Sequence, residues 1–153
     1  MHNRHTFFDF MDVFSSPNPD TLASYCEVFG LKLTDVRLPC NFCKFYLTEQ
    51  DLAAFQLKNF NLLWKGPWCF ACCRSCTRLS AAYELRTYYQ CTCKCEALEG
   101  LAKASLECIP VRCLCCLALL SFVEKLEHLA IGEDFYLVRS NWKGYCRNCI
   151  KKY

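Results

Sequence analysis

Residues 38–43 read LPCNFC, and 73 positions further on residues 111–116 read VRCLCC. The same shift carries FACCRSC at 70–76 onto KGYCRNC at 143–149. Four Cys-x-x-Cys pairs therefore share one register: Cys40/Cys43, Cys73/Cys76, Cys113/Cys116 and Cys146/Cys149. Two residues between thiolates allow a tight turn to place both sulfurs on one edge of a tetrahedral metal, and two such pairs close a four-sulfur shell. The register predicts an internal duplication holding two Zn2+.

The chain has sixteen cysteines, so the register also serves to separate ligands from decoys. Cys69 and Cys72 have the same spacing, but a shift of 73 places them on Trp142 and Tyr145. By that test Cys72 and Cys115 read as small buried apolar residues. The alternating Cys91, Cys93 and Cys95 read as half-buried strand or turn thiols rather than a third metal site. Four pairs can be joined into two sites in three ways, one of them cross-braced. Duplication of a self-sufficient unit predicts sequential pairing, with 29 residues inside each half and 36 between halves.

At 153 residues, the chain divides into units of about 60 residues, a size at which an apolar core alone leaves stability marginal. Metal is then part of the folding reaction. The opening MHNRHTFFDFMDVF has an apolar run broken by Asp9 and Asp12, unlike a signal peptide, and Met11 is a candidate for an alternative start that the sequence does not decide. No run approaches the roughly 20 apolar residues of a membrane span, so no membrane partner is expected. The cysteines read as thiols in a reducing compartment, where metal ligation outcompetes disulfides. The formal charge is +3, but eight ligand thiolates and two zinc dications would bring it to −1. A general attraction to nucleic acid is therefore not expected.

The pattern predicts an α+β chain in which two small four-cysteine zinc domains are joined by a linker helix. The expected parts are an arm at 1–17, an N-terminal zinc domain at 18–76, a linker helix and connection at 77–94, a C-terminal zinc domain at 95–150 and a tail at 151–153. A first helix is capped by Asn18, has Pro19 at its first position, carries a stripe of Leu22, Tyr25, Cys26 and Phe29, and stops at Gly30. A strand through Leu31, Leu33 and Val36 leads to the first knuckle. Thr48 with Asp51, and Ser121 with Glu124, mark equivalent helix starts. Strand-like runs Phe60–Trp64 and Phe135–Arg139 return to the second knuckles. Thr77–Gln90 reads as a connecting helix with Leu79, Ala82 and Tyr83 on one face, and a further helical stretch covers Glu96–Leu106.

The doubled cysteine array, with LPCNFC at 38–43, VRCLCC at 111–116, EKL at 124–126 and RSNWKGYCRNC at 139–149, closely resembles the papillomavirus early protein 6 family over residues 18–150. The resemblance implies a non-enzymatic viral oncoprotein and adaptor of the host nucleus and cytoplasm, of a cutaneous or animal type. Such proteins capture acidic Leu-x-x-Leu-Leu helices of host partners in a groove between zinc domains and linker helix. Those partners include the ubiquitin ligase called early-protein-6-associated protein and mastermind-like coactivators. Host protein degradation, apoptosis, innate immunity and transcription are altered as a result. By the same resemblance Arg112 and Arg139 match basic groove positions, Lys65 is a third cation, and Phe60 matches a large apolar groove residue. Asn141 stands where some members carry a groove arginine. The ending Cys149-Ile-Lys-Lys-Tyr153 lacks the Ser/Thr-x-hydrophobic pattern, so no PDZ partner is expected. A weak homodimer is the expected self-association.

Two other functions compete. A thiol oxidoreductase is disfavoured because redox Cys-x-x-Cys pairs act singly at a helix N-terminus. A zinc-dependent DNA-binding transcriptional regulator draws on Arg74, Arg147, Lys151 and Lys152, yet no contiguous basic recognition helix is present, so weak nucleic-acid binding at most is expected. Catalytic residues are not expected: His2 and His5 fall in the arm, and His128 reads as a solvated residue on a charged helix.

Overall fold

A computed structural model describes residues 18–150. The arm expected at 1–17, with Met11, His2 and His5, and the tail at 151–153 lie outside these residues. The chain forms two compact units that divide after Cys73.

In the first unit, helix α1 (Leu22–Phe29) starts at Thr21, whose hydroxyl accepts the Ser24 N–H at 3.1 Å, and ends at Gly30 with φ 64°. The start is later than the Asn18 cap expected from sequence because the preceding carbonyls are used in tertiary bonds. Pro19 O accepts the Trp64 indole N–H at 2.9 Å and Asp20 O the Leu62 N–H at 2.6 Å. Of the expected stripe only Leu22 is buried. The strand expected through Leu31, Leu33 and Val36 is instead a 3-10 turn, Leu33–Asp35, closed by Val36 N–H to Leu33 O at 3.2 Å. Helix α2 (Glu49–Leu57) begins with the predicted capping box of Thr48 and Asp51. A hairpin follows, β1 (Leu63–Lys65) with β2 (Trp68–Phe70).

The second unit opens with α3 (Arg74–Tyr88), which runs directly into strand β3 (Tyr89–Cys93). Thr77 and Ala81, one turn apart, are the buried side of α3, whereas Leu79 and Tyr83 are 69% and 53% exposed. The face predicted to be apolar thus points outward, because small side chains let the helix approach its neighbours closely. Helix α4 (Cys95–Ala102), a 3-10 turn (Leu106–Cys108), strand β4 (Val111–Cys113), helix α5 (Phe122–Ile131) and strands β5 (Phe135–Val138) and β6 (Asn141–Gly144) complete it. The sheet order is β3-β5-β6-β4, antiparallel except for β4 with β6.

The 73-residue shift holds far beyond cysteine: α1 falls on α4, the two 3-10 turns coincide, and the Ser121/Glu124 capping box stands on Thr48/Asp51. The hairpin registers also agree, since Leu63↔Phe70, Trp64↔Cys69 and Lys65↔Trp68 become Tyr136↔Lys143, Leu137↔Trp142 and Val138↔Asn141. Each zinc unit is therefore knuckle, helix, hairpin, knuckle, one strand more than expected.

The second core does diverge. His128, expected to be solvated, is fully buried at the position equivalent to Phe55. Its ring stacks on Phe135 with centroids 4.3 Å apart, and its Nε2 accepts the Tyr145 N–H at 2.9 Å. Lys125, equivalent to buried Leu52, is also buried, and its ammonium donates to Leu106 O at 2.9 Å, Glu107 O at 3.3 Å and Ile109 O at 2.5 Å. The Lys125 ammonium is tolerated because these bonds replace those lost to water, whereas the buried Nδ1 of His128 has no hydrogen-bond partner. Gly144 makes room for the imidazole: a Cβ there would lie 2.8 Å from His128 Cε1 and 3.1 Å from Phe135 Cδ1. Gly144→Ala should cost about 1–3 kcal/mol by overpacking, measurable as a lower unfolding midpoint of the zinc-loaded chain. Ala71→Gly, at the equivalent place in the first unit, should leave the His128 ring contacts unchanged by NMR.

Candidate metal centres and a cationic face

The predicted ligands gather into two groups, Cys40/Cys43/Cys73/Cys76 and Cys113/Cys116/Cys146/Cys149, with all sulfurs of a group within 4.8 Å of one another. Pairing is sequential, as the duplication predicted, rather than cross-braced. In each first knuckle the turn is closed by the same pair of backbone features. Lys44 N–H reaches Cys40 O, and Leu117 N–H reaches Cys113 O, both at 3.0 Å, and residues 44 and 117 have φ of 70° and 61°. Each first knuckle is tied to the hairpin by Asn41 N–H to Ala71 O at 2.9 Å or Leu114 N–H to Gly144 O at 2.7 Å. These bonds set one sulfur pair opposite the other.

A tetrahedral zinc with bonds of about 2.3 Å needs sulfurs about 3.8 Å apart. Cys43 and Cys73 sulfurs lie 3.9 Å apart and those of Cys116 and Cys146 3.7 Å apart. The donor sets fit zinc without rearrangement. Four-sulfur closure leaves no position for a substrate, so the ions are structural. Backbone N–H groups favour the thiolate form at Cys40 and Cys113, whereas the hydrogen bond with Cys113 pushes the Cys116 thiol up and burial pushes the Cys149 thiol up to about 12. At Cys40, burial opposes ionisation, but N–H groups of Cys43, Cys73 and Phe42 outweigh it and bring the thiol to about 6. At Cys113 a hydrogen bond from Cys116, together with N–H groups of Cys146, Cys116 and Cys115, brings it to about 4 against burial.

The remaining cysteines behave otherwise. Burial pushes the Cys69 thiol up to about 12, the behaviour of an inert core residue. Cys72 and Cys115 are half-buried rather than buried. Cys91 is exposed on β3, Cys93 is half-buried, and Cys95 is buried at the start of α4. Among the described residues they form no third ligand group.

The four residues matched to a partner groove fall in different units. In the first, Phe60 is half-buried and edge-on to Phe55 at 5.5 Å, and Lys65 is exposed with its ammonium 5.1 Å from the Phe70 ring centre. In the second, Arg112 and Arg139 flank one sheet. Arg112 is half-buried and donates to Leu117 O at 2.8 Å. Arg139 stands over the Tyr88 ring at 4.3 Å and reaches Glu84 at 3.4 Å. Lys143, which the sequence reading passed over, is the register partner of Arg112 and lies 3.7 Å from Glu84. Burial holds its ammonium below the usual lysine range, Glu84 pulls it back up, and Arg112 adds to the depression. Its counterpart under the repeat is Phe70, so the register carried no sign of a cation there.

The hairpin turn that carries Arg139 has two non-glycine residues with positive φ, Arg139 at 52° and Ser140 at 63°. This is the two-residue turn favoured between twisted antiparallel strands, and glycine or asparagine is its usual occupant. The first unit has Gly66 at the equivalent place, with φ 61°. Stacking on Tyr88 and the bond from Arg139 N–H to Tyr88 O at 2.9 Å hold the turn in place. The Gln90 side-chain carbonyl accepts the Ser140 N–H.

Metal analysis of point variants tests the ligand assignment. Cys43→Ser and Cys116→Ser should each reduce bound zinc from two ions per chain to one, and Cys69→Ala should retain both. Chelation of both ions should abolish cooperative thermal unfolding.

Comparison with known proteins agrees with this geometry. The family model described as Early Protein (E6) matches residues 40–149. Protein E6 of human papillomavirus type 60 is 54% identical over 134 residues, covering 88% of this chain and 94% of that protein. Protein E6 of human papillomavirus 4 is 46% identical and that of human papillomavirus 65 is 44% identical, each covering 88% of this chain and 96% of the relative. With its two four-cysteine centres on one duplicated α+β unit, this chain belongs to the papillomavirus E6 early protein family.

Proposed function

We propose that the chain is a non-enzymatic adaptor that captures acidic Leu-x-x-Leu-Leu helices of host proteins, a ubiquitin ligase or a mastermind-like coactivator. Through that capture it redirects host protein degradation, apoptosis, innate immunity and transcription in the host nucleus and cytoplasm. The observation that supports this reading is the cationic face of the second unit, where Arg112, Arg139 and Lys143 lie on and beside one sheet. Acidic amphipathic helices are held by cationic rims around apolar contacts. Lys143 supplies a positive charge two residues from Asn141, where the expected arginine is missing. Arg139 sits in a left-handed turn that glycine fills in the first unit, held there by its stacking on Tyr88 and its N–H bond to Tyr88 O.

The test is titration of the zinc-loaded chain with an acidic Leu-x-x-Leu-Leu peptide and with the same peptide carrying amides in place of its carboxylates. Arg139→Ala should weaken binding of the acidic peptide about five- to twentyfold and leave the neutral one nearly unchanged. Arg112→Ala should act in the same direction, with zinc content checked because Arg112 also bonds the knuckle carbonyl of Leu117. Equal affinity of the wild-type chain for both peptides would refute the reading.

A further inference from the structure

Helix α3, RSCTRLSAAYELRTY, carries a single acidic residue, Glu84. The positions three and four residues away are Ser80, Ala81, Thr87 and Tyr88, so helical spacing gives it no cation to pair with. Its partners come from the sheet instead. Oε2 lies 3.4 Å from Arg139 and Oε1 lies 3.7 Å from Lys143, so one carboxylate spans two of the three cations on this face. A group with the charge of an acidic ligand therefore already occupies them.

The two contacts differ in what depends on them. The Lys143 side chain is only 9% exposed, and a buried ammonium needs a counter-charge. Arg139 is 43% exposed and is held without Glu84. Its guanidinium stacks on Tyr88, one helical turn beyond Glu84, and its backbone N–H donates to Tyr88 O. At 3.4 Å its contact with Glu84 is longer than the roughly 2.7–2.9 Å of a tight charge-assisted hydrogen bond. A solvent-exposed pair of this kind adds little stability. Because different oxygens meet the two cations, Glu84 can release Arg139 and keep Lys143.

Resting on the adaptor reading proposed above, we infer that Glu84 is a specificity-determining residue of the cationic face, an internal carboxylate that an acidic ligand displaces from Arg139. Binding is then an exchange: a ligand carboxylate takes the guanidinium while Glu84 stays with Lys143. The Glu84 charge left beside the ligand opposes further negative charge, so it limits how strongly the face prefers acidic helices over neutral ones. The contrary role, in which Glu84 positions Arg139 for the ligand, is disfavoured because Tyr88 already fixes that side chain.

The test uses the full-length zinc-loaded chain with the acidic Leu-x-x-Leu-Leu peptide and its amide counterpart. Glu84→Gln removes the charge but keeps an oxygen acceptor for Lys143. It should raise the ratio of acidic to neutral affinity about three- to tenfold, the size expected of one charge a few Å away at a protein surface. In an Arg139→Ala background the same change should raise that ratio less than about twofold, because no guanidinium is left to release. Glu127→Gln, which removes the same charge from the Glu127–Arg147 pair, should also alter it less than about twofold. The wild-type chain gives a second measurement that holds if Glu84→Gln fails to retain zinc. The carbon NMR resonance of the Glu84 carboxylate should move on titration with the acidic peptide and stay nearly fixed with the neutral one. A ratio that is unchanged or lower in Glu84→Gln, or that rises as much in the Arg139→Ala background or in Glu127→Gln, overturns the inference and leaves the adaptor reading standing. So does a Glu84 resonance indifferent to the acidic peptide. A wild-type chain that binds both peptides alike overturns both.

Discussion

The four-sulfur shell is the constraint from which each unit follows. In each half it joins the first knuckle to the second across a 29-residue loop. A loop of that length ordered by a small apolar core alone would gain little over its conformational entropy. Closure by zinc places the hairpin against the knuckle, which lets the carbonyls of Ala71 and Gly144 accept the N–H groups of Asn41 and Leu114. The helix inside each loop then has a fixed place to pack. Metal coordination, hairpin register and helix position are thus one cooperative event, repeated twice.

The duplication makes the chain its own comparison. Positions alike in both units, namely the eight ligands, the capping boxes, the left-handed knuckle residues and the hairpin register, are those the scaffold needs. Positions that differ show what each unit adds. The second unit replaces Leu52 and Phe55 by Lys125 and His128 without loss of burial: carbonyls of Leu106, Glu107 and Ile109 serve the lysine, and the N–H of Tyr145 and the Phe135 ring serve the histidine, whose Nδ1 stays without a partner. It also extends a hairpin into a four-stranded sheet and places Arg112, Arg139 and Lys143 at that sheet. The first unit has the plainer version of each feature. Adaptor function, as proposed, belongs to what the second unit adds.

Four sulfurs at each centre would fill the coordination shell of a zinc ion, and His128 is held in the core, where its Nε2 accepts the Tyr145 N–H. The adaptor function proposed above draws on surface, namely the cations at the sheet of the second unit.

Much of this was legible in the residues alone. Cys-x-x-Cys spacing and a 73-residue register identified all eight ligands, their sequential pairing and both capping boxes, because metal geometry and helix caps are local rules written in a few positions. Only the tertiary structure decided which way the intervening side chains face. Lys125, His128 and Lys143 are buried because specific backbone carbonyls, a specific N–H and Glu84 meet them, and those partners lie between 16 and 59 residues away. Leu79, Tyr83, Phe122 and Leu126 are exposed because smaller or hydrogen-bonded neighbours hold the inward sides of α3 and α5. Periodicity identifies a helical stripe, but which stripe faces inward depends on partners brought close by the fold.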